Sequence, residues 1–160
     1  MPFSRTDCVM AAPDTGMLIV VAAFAVDGDS LYRAFTDQEE IDRWWGGRRG
    51  GSIVTWRGTA EVGGTWQAEG VFSRGRIFTA SGKFLDLETG KRIVQSWHAS
   101  WDDMIPTEAS IRFEAMPNST VLSLVHKGFQ GRDAACQAQA QIWWKVIKWL
   151  RLYLQDGADA

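Results

Sequence analysis

The sequence predicts an α+β fold in which a curved antiparallel sheet of about seven strands wraps around one long C-terminal helix. From residue 52 to 129, apolar and polar residues alternate with a period of two, and turn residues interrupt the alternation at regular intervals. Residues 132–156 instead carry apolar side chains at helical spacing. A sheet with one apolar face needs a cover, and this helix is the only predicted element long enough to supply it.

The chain begins with a predicted leader and a first strand. Residues 1–16 contain two prolines and a glycine and are interpreted as a flexible leader to a single domain over residues 17–156. The run MLIVVAAFAV at 17–26 is apolar throughout and predicts a buried strand, since it is too short to span a bilayer. No membrane insertion is therefore expected.

Two short helices are predicted directly after this strand. Asp27 is the expected N-cap of the first, and Thr36 that of the second, because Glu39 stands three residues later in a capping box. Ile41 precedes Trp44 and its neighbouring tryptophan by three and four residues, so all three share one side of the helix. The glycine at 46 is expected to end this helix in a left-handed conformation.

The alternating region and the final helix complete the prediction. The six further strands are placed at residues 52–59, 64–72, 76–87, 91–101, 107–116 and 120–129. The final helix has an apolar stripe from Ile142 to Leu154 that is wide enough for deep packing, with Lys145 and Lys148 outside it. The arrangement leaves an apolar hollow between sheet and helix, closed at one end by the short helices.

Charge and cysteine content exclude several classes of function. The formal net charge of -2 provides no basic face for nucleic acid, and Arg48 and Arg49 are too few and isolated to form one. Cys8 and Cys136 stand far apart and away from any histidine at ligand spacing, so neither a metal site nor redox chemistry is indicated. Unpaired thiols suit a reducing compartment, and we expect a cytoplasmic protein without a metal or cofactor.

No recognised catalytic pattern stands in the sequence. The G-x-S-x-G nucleophile elbow is missing, and the glycine-rich stretch after the paired tryptophans lacks phosphate-loop spacing. Asp102 and Asp103 form the one adjacent carboxylate pair within the strand region, and their position at a strand end favours a solvated turn. We therefore assign no catalytic residue.

Strand parity indicates which side chains face the hollow. Leu122, Leu124 and His126 share one face of their strand, and Trp97 shares a face with Gln95. The residues predicted to line a ligand pocket are Trp44, Trp66, Trp97, Phe113, His126, Trp143 and Ile147. For each tryptophan a place in the core is the alternative interpretation, and a lone inward histidine is more often a satisfied hydrogen-bonding residue.

Five stretches of the sequence resemble those of one protein family. They are LYRAFTDQEEIDRWWGG, VGGTW (62–66), GKRIVQSWHASW, STVLSLVHKGF (119–129) and WWKVIKWLRLYL. In this order they resemble the activator of heat-shock protein 90 ATPase homologue 1-like family, within the START-type, helix-grip (SRPBCC, pollen-allergen-like) superfamily. The resemblance covers residues 17 to 155 and implies the helix-grip fold. Two departures are the missing proline after the paired tryptophans and Ile142, where the family commonly has glycine.

The resemblance implies three candidate functions, because members of this superfamily differ in activity. The first is a non-catalytic protein that holds an apolar or aromatic small molecule between sheet and helix. The second is an enzyme of the cyclase/aromatase kind in which His126 moves protons. The third is an interaction domain, with a chaperone or a second copy of the chain as its partner.

Overall fold

The computed structural model describes residues 7–46, 54–71 and 77–159. Over this part of the chain, the strands are β1 (Cys8–Ala12), β2 (Met17–Phe24), β3 (Val54–Gly58), β4 (Thr65–Val71), β5 (Ile77–Glu88), β6 (Arg92–Ala99), β7 (Pro106–Met116) and β8 (Ser119–Lys127). The helices are α1 (Gly28–Thr36), α2 (Gln38–Trp44) and α3 (Asp133–Asp159). Short 3₁₀ turns at Pro13–Thr15 and Ser100–Asp102 follow β1 and β6.

The strands form one antiparallel sheet in the order β1-β2-β8-β7-β6-β5-β4-β3. The first long strand, β2, pairs with β8, the last strand before α3, for example through Leu18 and His126. The long helix α3 packs against β1, β2 and α2. The predicted α+β, helix-grip fold is therefore confirmed. Among the described residues, no helix combines the length and apolar composition needed to cross a bilayer.

The sheet has one strand more than the sequence predicts, because residues 8–12 form β1 within the expected leader. A tight turn after β1, in which the Gly16 N–H donates to the Pro13 carbonyl at 3.0 Å, returns the chain into β2. Gly16 has φ +70°, a conformation that glycine adopts without steric cost. Arg151 of α3 donates to the two carboxylate oxygens of Asp7, from Nε at 2.8 Å and from Nη2 at 2.5 Å. The start of the strand is thus tied to the final helix.

The predicted cap of α1 is confirmed and that of α2 is wrong. The Asp27 carboxylate accepts from the Ser30 N–H at 2.7 Å. The residue that caps α2 is Asp37, whose carboxylate accepts from the Glu39 N–H at 2.9 Å. Thr36 still belongs to α1, and its hydroxyl donates to a carbonyl one turn back, at Tyr32. Since the two helices are separated by one residue, only that residue leaves the helical conformation and can cap.

The alternation in the strands divides the sheet into a buried and a more exposed face, as predicted. Leu122 and Leu124 of β8 are fully buried, and so is His126 beside them. On β6 the buried side chains alternate with half-buried ones along the whole strand. The inward face of the sheet is the floor of the hydrophobic core that α3 covers.

The end of β6 differs from the solvated turn that the sequence predicts. Asp102 is only 7% exposed and binds Arg132 through both carboxylate oxygens, at 3.0 and 3.1 Å. Asp103 and Met104 follow with positive φ angles of +51° and +59°. The chain does turn here, but Asp102 links that turn to the residue directly before α3.

Helix α2 is attached to the edge strand β3 by one side chain. The Gln38 amide nitrogen donates to the Trp56 carbonyl at 2.5 Å, and its amide oxygen accepts from the Gly58 N–H at 3.1 Å. Gln38 therefore pairs with β3 much as a residue of a neighbouring strand would. This contact fixes α2, and with it Trp44, over the end of the sheet.

Candidate functional site

The seven residues predicted to line a pocket are all buried, each at most 7% exposed. They come from six elements: Trp44 from α2, Trp66 from β4, Trp97 from β6, Phe113 from β7, His126 from β8, and Trp143 and Ile147 from α3. Their convergence follows from the fold, because α3 lies against the same face of the sheet to which the strand residues point.

The space between these elements is a small inner cavity of about 20 Å³. Trp44, Trp66, Trp97 and Trp143 line it, whereas the other three predicted residues do not. A volume of this size is close to that of a single water molecule. The aromatic side chains thus fill most of the predicted hollow.

The described residues that line the inner cavity and were missing from the predicted set are Phe35, Ile41, Trp45, Trp56 and Gln95. Gln95 shares the inward face of β6 with Trp97, and this strand parity could have predicted its place in the lining. Trp56 is 5% exposed in the middle of β3, the strand in which it faces inward. For Trp45 the signal was its spacing of four residues from Ile41.

The tryptophans in the core contact one another in two groups of rings, one of which includes the histidine. The ring centroids of Trp66 and Trp97 lie 4.7 Å apart, and Trp97 lies 5.4 Å from both Trp143 and His126. At the α2 end, Trp45 contacts Trp44 and Trp149 edge-on. Such tilted and edge-on pairs are favourable geometries for aromatic rings.

His126 has a hydrogen-bond partner at each ring nitrogen. The Trp143 indole N–H donates to its Nδ1 at 2.9 Å, and its Nε2 lies 2.7 Å from the Thr107 hydroxyl. Because an indole N–H can only donate, Nδ1 must accept and the imidazole hydrogen sits on Nε2. Nε2–H then donates to Thr107, whose hydroxyl faces the Trp97 carbonyl at 3.4 Å.

Burial lowers the pKa of His126 from 6.5 to about 3. The imidazole is fully buried, and no carboxylate accompanies it in the contacts of the described residues. It is therefore neutral at physiological pH, and its nitrogens are both engaged. This arrangement favours the structural role of a satisfied core histidine over proton transfer.

A large open groove lies directly outside the inner cavity. This outer groove, of about 1240 Å³, runs between α2 and strands β3 to β6. Three tryptophans, Trp45, Trp56 and Trp66, line both the groove and the inner cavity. The groove also has polar side chains, among them Asp42 and Lys83. The inner cavity therefore has a wall of indole rings toward the outside.

A second groove, of about 510 Å³, lies where α3 passes the start of β5 and the end of β6. Its lining is largely apolar and includes Phe78, Trp101 and Ile142. Ile142, one of the two departures noted in the sequence, thus lines this groove and is not among the described residues of the inner cavity.

The remaining expectations concern metals and the arginine pair. Among the described residues, no group of three or more His, Cys, Asp or Glu side chains is placed to hold a metal ion. Cys8 is exposed and Cys136 is buried. Arg48 and Arg49 lie outside the described residues.

Comparison with known proteins agrees with the fold. Residues 25–155 match the family described as activator of Hsp90 ATPase homolog 1-like protein. CalU16 from Micromonospora echinospora is similar at 17% identity and TM-score 0.68, over 95% of this chain and 87% of that one. Ms6760 from Mycobacterium smegmatis is similar at 14% identity and TM-score 0.75, over 94% of each chain. CV1439 from Chromobacterium violaceum is similar at 21% identity and TM-score 0.72, over 87% of this chain and 96% of that one. These identities show the fold alone. A search of the curated proteins found no match.

Proposed function

The chain belongs to the activator of Hsp90 ATPase homologue 1-like family, and on this premise we propose that it is a non-catalytic protein that binds an apolar or aromatic small molecule between the sheet and α3. The observation that carries the proposal is the lining of the inner cavity, in which tryptophans predominate and Gln95 is the one described residue without an apolar side chain. Ligand sites in proteins commonly combine such an apolar lining with a few placed polar groups.

The adjoining outer groove supports the same proposal, because it brings solvent to the wall of the cavity. A ligand between sheet and helix needs a path through the surface of a packed core. At the end of α2, only side chains separate the groove from the cavity.

The contacts of His126 do not favour the cyclase/aromatase alternative. Proton transfer near neutral pH would need an imidazole that changes charge there and faces the substrate. His126 instead stays neutral, and both its nitrogens face protein groups. The alternative of a chaperone-accessory domain rests on the family description, and no contact surface on the described residues adds to it.

Native mass spectrometry of freshly purified protein tests the proposal directly, since a bound apolar molecule adds a discrete mass. A panel of naphthalene, anthracene and steroid compounds is then measured by tryptophan quenching and by thermal unfolding. A ligand at 100 times its dissociation constant stabilises the fold by about 2.7 kcal/mol, which is easily detected.

Trp144 provides the control for adsorption to the surface. It is 37% exposed on α3 and contacts Lys148 rather than the inner cavity. W144A should bind each ligand as the native chain does. If no compound of the panel binds and none co-purifies, the proposed function is wrong. A pull-down with the chaperone and an ATPase assay then test the interaction alternative.

A further inference from the structure

We propose that the ligand is a flat aromatic compound that enters from the outer groove and takes the place of the Trp45 indole, which turns out into the groove. The inference rests on the proposed function, because it names the ligand class and the route for the same site. It is carried by the volume of the inner cavity and by the contacts of Trp45.

The inner cavity is too small for any aromatic molecule. Its volume is about 20 Å³, whereas a cavity of about 150 Å³ holds benzene. Protein cores are close-packed, so this difference is not made up by small adjustments of many atoms. At least one large side chain must leave when a ligand enters.

Trp45 is placed where such a side chain must be. It lines the inner cavity on one side and the outer groove on the other, so its departure would join the two spaces. Trp56 and Trp66 also line both spaces, but both are 5% exposed or less and project from paired strands. Trp45 is half-buried and lies at the end of α2.

The backbone around Trp45 also allows its side chain to turn. Trp45 is the C-terminal cap of α2, with φ -64° and ψ 128°, so it has already left the helix. Its N–H still donates to the Ile41 carbonyl at 2.8 Å, and Gly46 follows with φ +89°. The backbone position is thus fixed while the side chain is free of the rotamer restriction that a helix imposes.

The indole N–H of Trp45 distinguishes it from four of the other tryptophans of the cavity. It is buried and has no hydrogen-bond partner among the described residues. By contrast, Trp44 donates to the Ala34 carbonyl, Trp66 to the Ser96 carbonyl, Trp97 to the Gln95 amide oxygen and Trp143 to His126. A buried donor without a partner is costly, and water in the groove would pair with it. Outward rotation of Trp45 therefore loses ring contacts but gains a hydrogen bond.

The place that Trp45 vacates defines the chemistry of the ligand. Trp44 and Trp149 contact the Trp45 ring edge-on, with centroids at 5.6 and 5.7 Å. A flat system of one or two fused rings can renew these contacts, whereas a bulky saturated molecule cannot. The outer groove next to it has polar side chains such as Asp42. A single hydroxyl or keto group on the ligand would face this side.

The test uses 2-naphthol, a flat fused-ring phenol, as the probe, and stopped-flow fluorescence to measure its binding. W45A should raise the association rate constant at least tenfold and tighten the affinity, because the ring no longer has to move. W45F should give intermediate values, and W144A should match the native chain. Thermal unfolding establishes that each variant is folded. If W45A does not fold, W45F is judged by the same criterion.

The outcomes separate this inference from the proposed function. If W45A binds 2-naphthol at the rate and affinity of the native chain, the inference is wrong while the binding function stands. If only W45A binds, Trp45 never gives way in the native chain, which also overturns the inference. If neither binds 2-naphthol, the inference fails, and the ligand panel with native mass spectrometry decides the proposed function alone.

Discussion

Lowering the pH should destabilise the fold through His126, and the size of the effect can be worked from its surroundings. In the unfolded chain His126 binds a proton near its ordinary pKa of 6.5, whereas in the folded chain burial lowers that pKa to about 3. Between these values the unfolded state holds the extra proton. This contribution to stability is therefore complete above pH 6.5 and is lost progressively as the pH falls toward 3.

Each pH unit in this interval corresponds to about 1.4 kcal/mol. At pH 5, about 1.5 units below the ordinary value, the contribution should have fallen by about 2 kcal/mol, and near pH 3 by about 5 kcal/mol. Both losses come from a single side chain. They are large beside the 5–15 kcal/mol that is typical of a whole domain.

Urea unfolding, followed by tryptophan fluorescence at pH 7, 6 and 5, measures this contribution. H126Q is the comparison, because glutamine keeps a donor and an acceptor but does not titrate. It will be less stable at every pH, so the slopes are compared and not the absolute values. The free energy of unfolding of the native chain should fall more steeply with decreasing pH than that of H126Q.

The reasoning is refuted if the two curves run parallel between pH 7 and pH 5. A second measurement does not depend on the variant. Nitrogen-15 NMR of the native chain should show the imidazole as a neutral Nε2–H tautomer at pH 5. A titration of His126 near 6.5 would show that the buried contacts with Trp143 and Thr107 do not hold it neutral.

Two further predictions concern the fold. D37A should lower the free energy of unfolding, measured in urea, by about 1 kcal/mol, and T36A should lower it by less. The reason is that Asp37 caps α2, whereas the Thr36 hydroxyl donates to a carbonyl within α1. A larger loss for T36A would show that Thr36 is the cap after all. G82A should lower the free energy of unfolding by about 1–3 kcal/mol in the same assay. A Cβ at this position would lie 1.8 Å from the Ser96 carbonyl oxygen and would force β5 away from β6. An unchanged free energy of unfolding would contradict the close spacing of these strands.

Local patterns in the sequence predicted most of the fold. The period of two placed six strands and an apolar run placed the one before them, and the burial of Leu122 and Leu124 shows that parity also predicted their inward face. Local sequence patterns could not predict the structure where a residue far away in the sequence determines it. The pairing of Asp102 with Arg132 joins residues 30 positions apart, and β1 is held by a hairpin turn and by α3.

The candidate site was predictable in its residues but not in its volume. Periodicity predicted that Trp97 and Trp143 face the hollow, and both do line the inner cavity. Whether a hollow remains depends on how the rings fill the space, which is a property of their rotamers and contacts. The same holds for His126. Strand parity predicted that its side chain faces inward, but it could not predict the hydrogen bond from the Trp143 indole.

The pairing of Gln38 with β3 has a consequence for how the chain behaves among other copies of itself. An edge strand presents free N–H and C=O groups that can recruit a strand from another molecule, which is a common start of aggregation. On β3 the Trp56 carbonyl and the Gly58 N–H are two such groups, and the Gln38 amide occupies both. A single glutamine thus occupies two of the backbone groups that an incoming strand would need, and it does so without extending the sheet.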